Sequence, residues 1–287
     1  MVKRGRKNNG KLMWVSIGLV VVVVLAIVLV TQLSSSGPEQ TYFGPTSPTI
    51  LHEVESVPTS VFNAVGVSSP AVQVVTLSTA KDQPALTFTV GKKVLPGAFY
   101  YGAEYCPYCA ATRWGMIVAL SRFGTFNTLY NMLSSGIDVA PNTATFSFVG
   151  KKVNDVVTYT SKYLVFKPYE VENRNYQNFM PVTTQIGTLV NTYDNPSNNG
   201  RYSFPFMDMN NHVFITGSEF DPTNLANVSR ATIAAGLNDP SIPVTQAIIA
   251  TANYVSAGIC AMTHSQPTSV CHSSGVAAAA ATMKLKL

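Results

Sequence analysis

Cys106-Pro107-Tyr108-Cys109 stands where one kind of structure gives way to another, and this junction restricts the chain more than any other segment. Before it, Leu86–Val90 (LTFTV) alternates, Gly91-Lys92-Lys93 makes a turn, and Val94–Tyr101 (VLPGAFYY) reads as an aromatic strand ending at Gly102. After it, helix-compatible sequence runs to about Arg122, with Trp114, Ile117, Val118 and Leu120 as its core positions. Pro107 fits the first helical position, where a missing N–H wastes no donor. A cysteine at a helix N-terminus meets unpaired N–H groups and the positive end of the helix dipole, which lowers its thiol pKa from about 8.5. Two intervening residues put the second sulfur one turn on, within reach of a disulfide. The competing readings are a plain structural disulfide and half of a zinc site, but zinc needs four ligands and a second CxxC is absent. Glu104 is either a surface residue without a role or a carboxylate that opposes the dipole and raises the thiol pKa. Arg113 lies on the same helix with its direction undetermined.

The remaining pattern alternates strands and helices. Phe126–Leu133 is a short helix candidate, Thr145–Val149 and Tyr163–Phe166 are strands, and Thr183–Tyr193 is helical. After a loop at Asp194–Arg201, Phe206–Met209 and His212–Thr216 flank Asn210-Asn211 as a hairpin. Asn224–Leu237 and Val244–Met262 are the last helices, and the Ala-rich end is expected to fray. The order points to an α/β fold with helices on both faces of a sheet.

Ser203-Phe204-Pro205-Phe206 supplies a second marker, because a proline just before a strand cannot donate to the ladder. With an aromatic strand feeding a CxxC helix, and a proline then preceding a hairpin that ends at Gly217, the chain resembles the thioredoxin superfamily. The resemblance implies that Cys106 is the exposed nucleophile, Cys109 the buried resolving thiol and Pro205 a cis-proline facing them. The CPYC residues are similar to those of glutaredoxins. An inserted helical region and an exterior location look more like the DsbA class. Thioredoxins also bury an acid beneath the CxxC, and none can be assigned from this sequence. More closely, FYYGAEYCPYCAATRWGMIVALSRFGTF resembles an archaeal membrane-anchored family, domain of unknown function 929, over roughly Val57 to Cys271. That family carries no activity to transfer.

Leu12–Val30 is an uncharged apolar run, and about 20 such residues cross a bilayer. Lys3, Arg4, Arg6, Lys7 and Lys11 precede it, which keeps the N-terminus cytoplasmic and the rest outside. A cleaved signal peptide is the rival reading, but the run is long and no A-x-A follows it. The expected organisation is a basic tail at 1–11, a transmembrane helix at 12–33, a linker at 34–58, a thioredoxin-like domain at 59–273 and a flexible tail at 274–287. Removing the five N-terminal cations from the net charge of +5 leaves a neutral remainder, so the basic balance gives no argument for nucleic-acid binding. Only 11% of residues are charged, which suits an exterior where carboxylates are partly protonated. Outside the cytoplasm, Asn227-Val228-Ser229 is a usable glycosylation triplet.

Cys260 and Cys271 are expected to form a structural disulfide. A redox relay pair and a zinc or copper site with His264 and His272 are the alternatives. The leading functional expectation is an extracytoplasmic thiol–disulfide oxidoreductase with Cys106, Cys109 and Pro205 at its centre, modulated by Pro107, Tyr108 and Glu104. It needs no cofactor or metal, acts on thiols of secreted or surface proteins, and is recycled by a membrane redox partner. The alternatives are a non-catalytic binding module, using segments such as Tyr169–Phe179, and a copper or zinc handling protein.

Overall fold

The structure is a computed structural model and describes residues 44–67, 76–80, 84–194 and 203–287. The expected basic tail and transmembrane run, residues 34–43 of the expected linker, and the loop residues 195–201 lie outside the described residues. In chain order the elements are α1 Pro48–Glu55, α2 Thr59–Val65, β1 Thr76–Thr79, β2 Thr87–Val90, β3 Lys93–Ala103, α3 Pro107–Leu120, β4 Gly124–Phe126, β5 Tyr130–Leu133, β6 Ala144–Ser147, β7 Tyr159–Ser161 and β8 Val165–Glu172. They continue with α4 Thr184–Tyr193, β9 Phe206–Met209, β10 Val213–Thr216, α5 Arg230–Gly236, α6 Pro243–Met262, α7 Thr268–Cys271 and α8 Ser274–Met283.

The fold is mixed α/β. One six-stranded sheet runs β1-β10-β9-β3-β2, and β8 adds to β3. β3 pairs antiparallel with β2 through Lys93–Pro96 and with β9 through Ala98–Tyr101, and parallel with β8 along Gly97–Ala103. From Gly97 to Ala103 it is buried on both faces, which is why its sequence there is a continuous apolar run rather than an alternating one. The period of two still sorts its side chains. Ala98 and Tyr100 enter the core shared with α3 and α6, whereas Phe99 and Tyr101 enter the core under α4 with Ile186, Val190, Phe206 and Phe214. Helices therefore cover both faces. The turn between β9 and β10 holds Asn210 and Asn211 at φ of 62° and 59°, a left-handed conformation that asparagine tolerates.

α3 packs along α6 without a polar face, and every residue from Cys109 to Leu120 is buried. Gly115 permits the close approach, since a Cβ there would strike Thr251 and lie 3.2 Å from the Ile248 carbonyl. α6 is long and apolar enough to cross a membrane, yet 83% of its apolar window is buried here, as a core helix requires.

Several expectations need correction. Between α3 and Pro205 the described residues hold more strand than helix: β4 pairs β7 and β5 pairs β6 as two-stranded ribbons, and α4 is the one α-helix among them. Phe126–Leu133 is thus strand, turn and strand, because so short an apolar run has no period of its own and ladder partners decide it. The C-terminal part of the 34–58 linker forms α1. Ser47 caps it by accepting the Ile50 N–H at 3.3 Å, Pro48 opens it and Val54 is buried. The 274–287 tail is largely α8, where alanine's helix propensity is joined by burial of Val276, Ala279, Ala280 and Met283. Within Asn224–Leu237, only Arg230–Gly236 is α-helix, started by the Ser229 cap after a 3-10 turn at Pro222–Leu225.

Candidate active site

Cys106 is the N-cap of α3, with extended φ and ψ of −72° and 121° and Pro107 at the first helical position. Its Sγ accepts the Cys109 N–H at 3.3 Å. This sulfur takes the place of the oxygen that normally caps a helix start. Both thiols are free. The Cys106 thiol is held below its ordinary value by the neighbouring Cys109 thiol, against the opposing effect of burial; the Cys109 and Tyr108 N–H groups and the Arg113 charge act in the same lowering direction. Burial pushes the Cys109 thiol well up, and Cys106 adds to the effect. Two chemically equal thiols are thereby made unequal.

Cys106, expected to be exposed, keeps only 6% of its surface open, and Cys109 keeps none. The cover over Cys106 includes the Phe204 carbonyl, 3.8 Å from its Sγ, on the residue joined to Pro205 by a cis peptide bond. Pro205 therefore stands beside the CxxC although it is 96 residues from Cys109 in the chain. Tyr108 projects outward with 43% of its surface exposed. Tyr105 stacks on Tyr176 at 4.1 Å between ring centroids and meets the Phe204 ring edge-on at 6.4 Å.

Glu104 is neither surface residue nor charged opponent of the thiolate. It is fully buried, its Oε1 accepts the Ser147 hydroxyl at 2.8 Å, and burial followed by the nearby Glu170 pushes its carboxyl up to about 8. A carboxyl protonated at neutral pH adds no negative charge beside Cys106.

Three groups beneath the cysteines were not legible from the sequence. Arg113, one turn beyond Cys109, turns inward. Its Nε and Nη2 donate to the two Glu170 oxygens at 2.8 and 2.6 Å, and Nη2 also donates to the Ala103 carbonyl at 2.9 Å. Arg113 and Glu170 are both wholly buried. Tyr100 is the third, buried on the same side. An arginine inside an otherwise apolar helix was the available signal, since a buried guanidinium requires a partner.

The second cysteine pair is a disulfide between Cys260 near the end of α6 and Cys271 at the end of α7, with both residues buried. The bonded, buried pair fits the structural reading, and sulfurs bonded to each other are not thiolate metal ligands. Among the described residues, no three His, Cys, Asp or Glu side chains converge as a metal site. The disulfide closes a short loop that also holds a cis Gln266–Pro267 bond. Replacing both cysteines with alanine is expected to destabilise the protein by about 2–3 kcal/mol, seen as a lower urea midpoint, with Cys106 reactivity unchanged. Equal midpoints for the two proteins would contradict this. Asn227 is exposed on the surface in a left-handed turn, accessible to modification.

No curated protein and no solved structure matches the chain. The family model described as Domain of unknown function (DUF929) matches residues 87–261, a span holding the CxxC, Arg113, Glu170 and Pro205 and covering more than half of the chain, and the protein belongs to that family.

Proposed function

We propose that the protein is a membrane-anchored, extracytoplasmic thiol–disulfide oxidoreductase of thioredoxin-like fold, working through Cys106 and Cys109. The observation that carries the reading is the inequality of the two sulfurs at the head of α3. Cys106 receives a helix N–H, has its thiol pKa lowered and has the exposed edge, while Cys109 is sealed below it. The Cys106 thiolate attacks one sulfur of a substrate disulfide, and the other substrate sulfur leaves as thiolate. Cys109 then attacks Cys106 Sγ, forming the intramolecular disulfide and releasing the second substrate sulfur. The substrate gains two electrons and the pair loses them; the reverse sequence oxidises a dithiol. Continued turnover requires a redox partner that restores the pair.

A strand leading to a CxxC helix and a cis-proline before an antiparallel hairpin support the thioredoxin-like assignment. The surroundings suit protein thiols as substrates. Tyr108 and Tyr176 border the site, and Ile137, with 88% of its surface exposed, sits on a loop held to Tyr105 through the Ser135 N–H at 2.8 Å. The Cys260–Cys271 disulfide and the N-terminal apolar run with its basic flank support the location.

The test is catalysed reduction of insulin by dithiothreitol and reoxidation of a reduced secreted protein. Cys106→Ser is expected to abolish both, and Cys109→Ser to accumulate a mixed disulfide at Cys106. Wild-type turnover no faster than the uncatalysed reaction would sink the proposal and leave the binding-module reading.

A further inference from the structure

We propose that the Tyr100 hydroxyl is the hydrogen-bond donor to the Cys109 sulfur, and that with the Arg113 guanidinium it stabilises the thiolate this resolving thiol must become when it attacks. The inference deepens the exchange reading and rests on it for its biological meaning, but its physical content is separable.

Alternation along β3 turns Tyr100 toward α3, six residues before Cys106. Gly102, the next residue on that face, has no side chain, and the vacated space is filled from two sides. A Cβ on Gly102 would run into the Tyr100 hydroxyl and would lie 3.0 Å from Cys109 Sγ. The hydroxyl and the sulfur therefore share one small buried space. Tyr100 is wholly buried and its hydroxyl makes no hydrogen bond in this structure. A buried hydroxyl normally finds a partner, and the polar atom that shares its space beside Gly102 is Cys109 Sγ. A thiol is a weak acceptor, whereas a thiolate is a strong one, so this hydrogen bond gains strength when Cys109 loses its proton.

The charge around the sulfur points the same way. Three of the five Arg113 N–H groups are oriented by Glu170 and Ala103, whereas Nη1 is buried without a partner. The guanidinium carbon lies 5.7 Å from the Tyr100 ring centroid. Its positive charge favours the Cys109 thiolate, as does the Ala103 N–H, 3.5 Å from Sγ. The remaining titratable groups that act on this space are Cys106 at the cap of α3, Glu170 on β8 and Tyr105 just beyond β3. Glu170 is engaged by Arg113.

In the resolving step, Cys109 releases its proton and its thiolate attacks Cys106 Sγ. The Cys106–Cys109 bond forms, the Cys106–substrate bond breaks, and the departing substrate thiolate takes up one proton. Tyr100 stays protonated throughout. It stabilises charge at sulfur and does not accept the proton.

The probe is 5,5′-dithiobis(2-nitrobenzoate) with the full-length reduced protein. Cys106 releases one coloured thiolate and is left as a mixed disulfide; attack by Cys109 releases the second. Tyr100→Phe keeps the ring and removes the donor. It is expected to slow the second release about tenfold and leave the first within about twofold. In a Cys106→Ser background, where Cys109 is the remaining free thiol, the same change is expected to raise the Cys109 titration midpoint by about one pH unit, equivalent to that tenfold effect. An unchanged second release, or equal slowing of both releases, overturns the proposal. Neither measurement uses catalytic turnover, so failure of insulin reduction by the wild type leaves this test intact.

Discussion

Replacing Arg113 with methionine is expected to destabilise the protein by about 3–5 kcal/mol, a loss read as a large fall in the urea midpoint. The reason is what remains behind. Glu170 is wholly buried, and Arg113 satisfies both of its oxygens. Without the guanidinium, the carboxylate stays in a site that water does not reach, and the Ala103 carbonyl also loses a donor. A domain stable by about 5–15 kcal/mol tolerates such a loss poorly. Substituting both residues, as Arg113→Met with Glu170→Met, is expected to recover much of the stability, because no isolated charge is left. A single substitution costing less than about 1 kcal/mol, the range of an exposed pair, would show that the pair is hydrated. The pair also joins the first turns of α3 to the end of β8, so its loss should loosen the platform under Cys109.

The second large effect concerns pH. Burial pushes three inaccessible carboxyls up: Glu104 to about 8, Asp208 to about 7 and Glu219 to about 7, from ordinary values of 4.5, 3.8 and 4.5. Each has one oxygen without a partner, while the other is bonded to Ser147, to the Asn211 N–H or to the Thr112 hydroxyl. A carboxyl whose folded pKa is raised holds its proton longer in the folded state than in the unfolded chain. Its stabilising contribution is fully present below the unfolded value and is lost as pH rises to the folded one. The full-length protein is therefore expected to be most stable near pH 4 and to lose several kcal/mol on the way to about pH 8, because each tenfold difference in proton affinity between folded and unfolded chain is worth roughly 1.4 kcal/mol. Glu104→Gln preserves the acceptor for Ser147 and removes one titration. It should flatten the profile and raise the urea midpoint at pH 8 above that of the wild type. A midpoint that is constant or rises with pH would refute this account.

What was legible in the sequence was local. CPYC after an aromatic run located the helix start, because a proline can open a helix and a cysteine can cap one. Asn210-Asn211 placed the hairpin turn because asparagine tolerates a left-handed backbone. Phe126–Leu133 was not legible, since a short apolar run fits strand or helix until a partner strand is supplied. Ser47-Pro48 and the alanine run after Ser274 carried helix signals, but their polar and low-complexity character hid the burial of one face.

The sequence by itself determined which residues could do chemistry and where one reactive helix begins, because caps, turns and periodicity act over a few residues. Only the tertiary structure decided that Glu104 is buried with its carboxyl pushed up, that Arg113 is tied to Glu170 57 residues away, that Tyr100 and Cys109 share the space beside Gly102, and that Cys260 bonds Cys271. Those facts depend on desolvation and distance, which arise only when remote segments share a core.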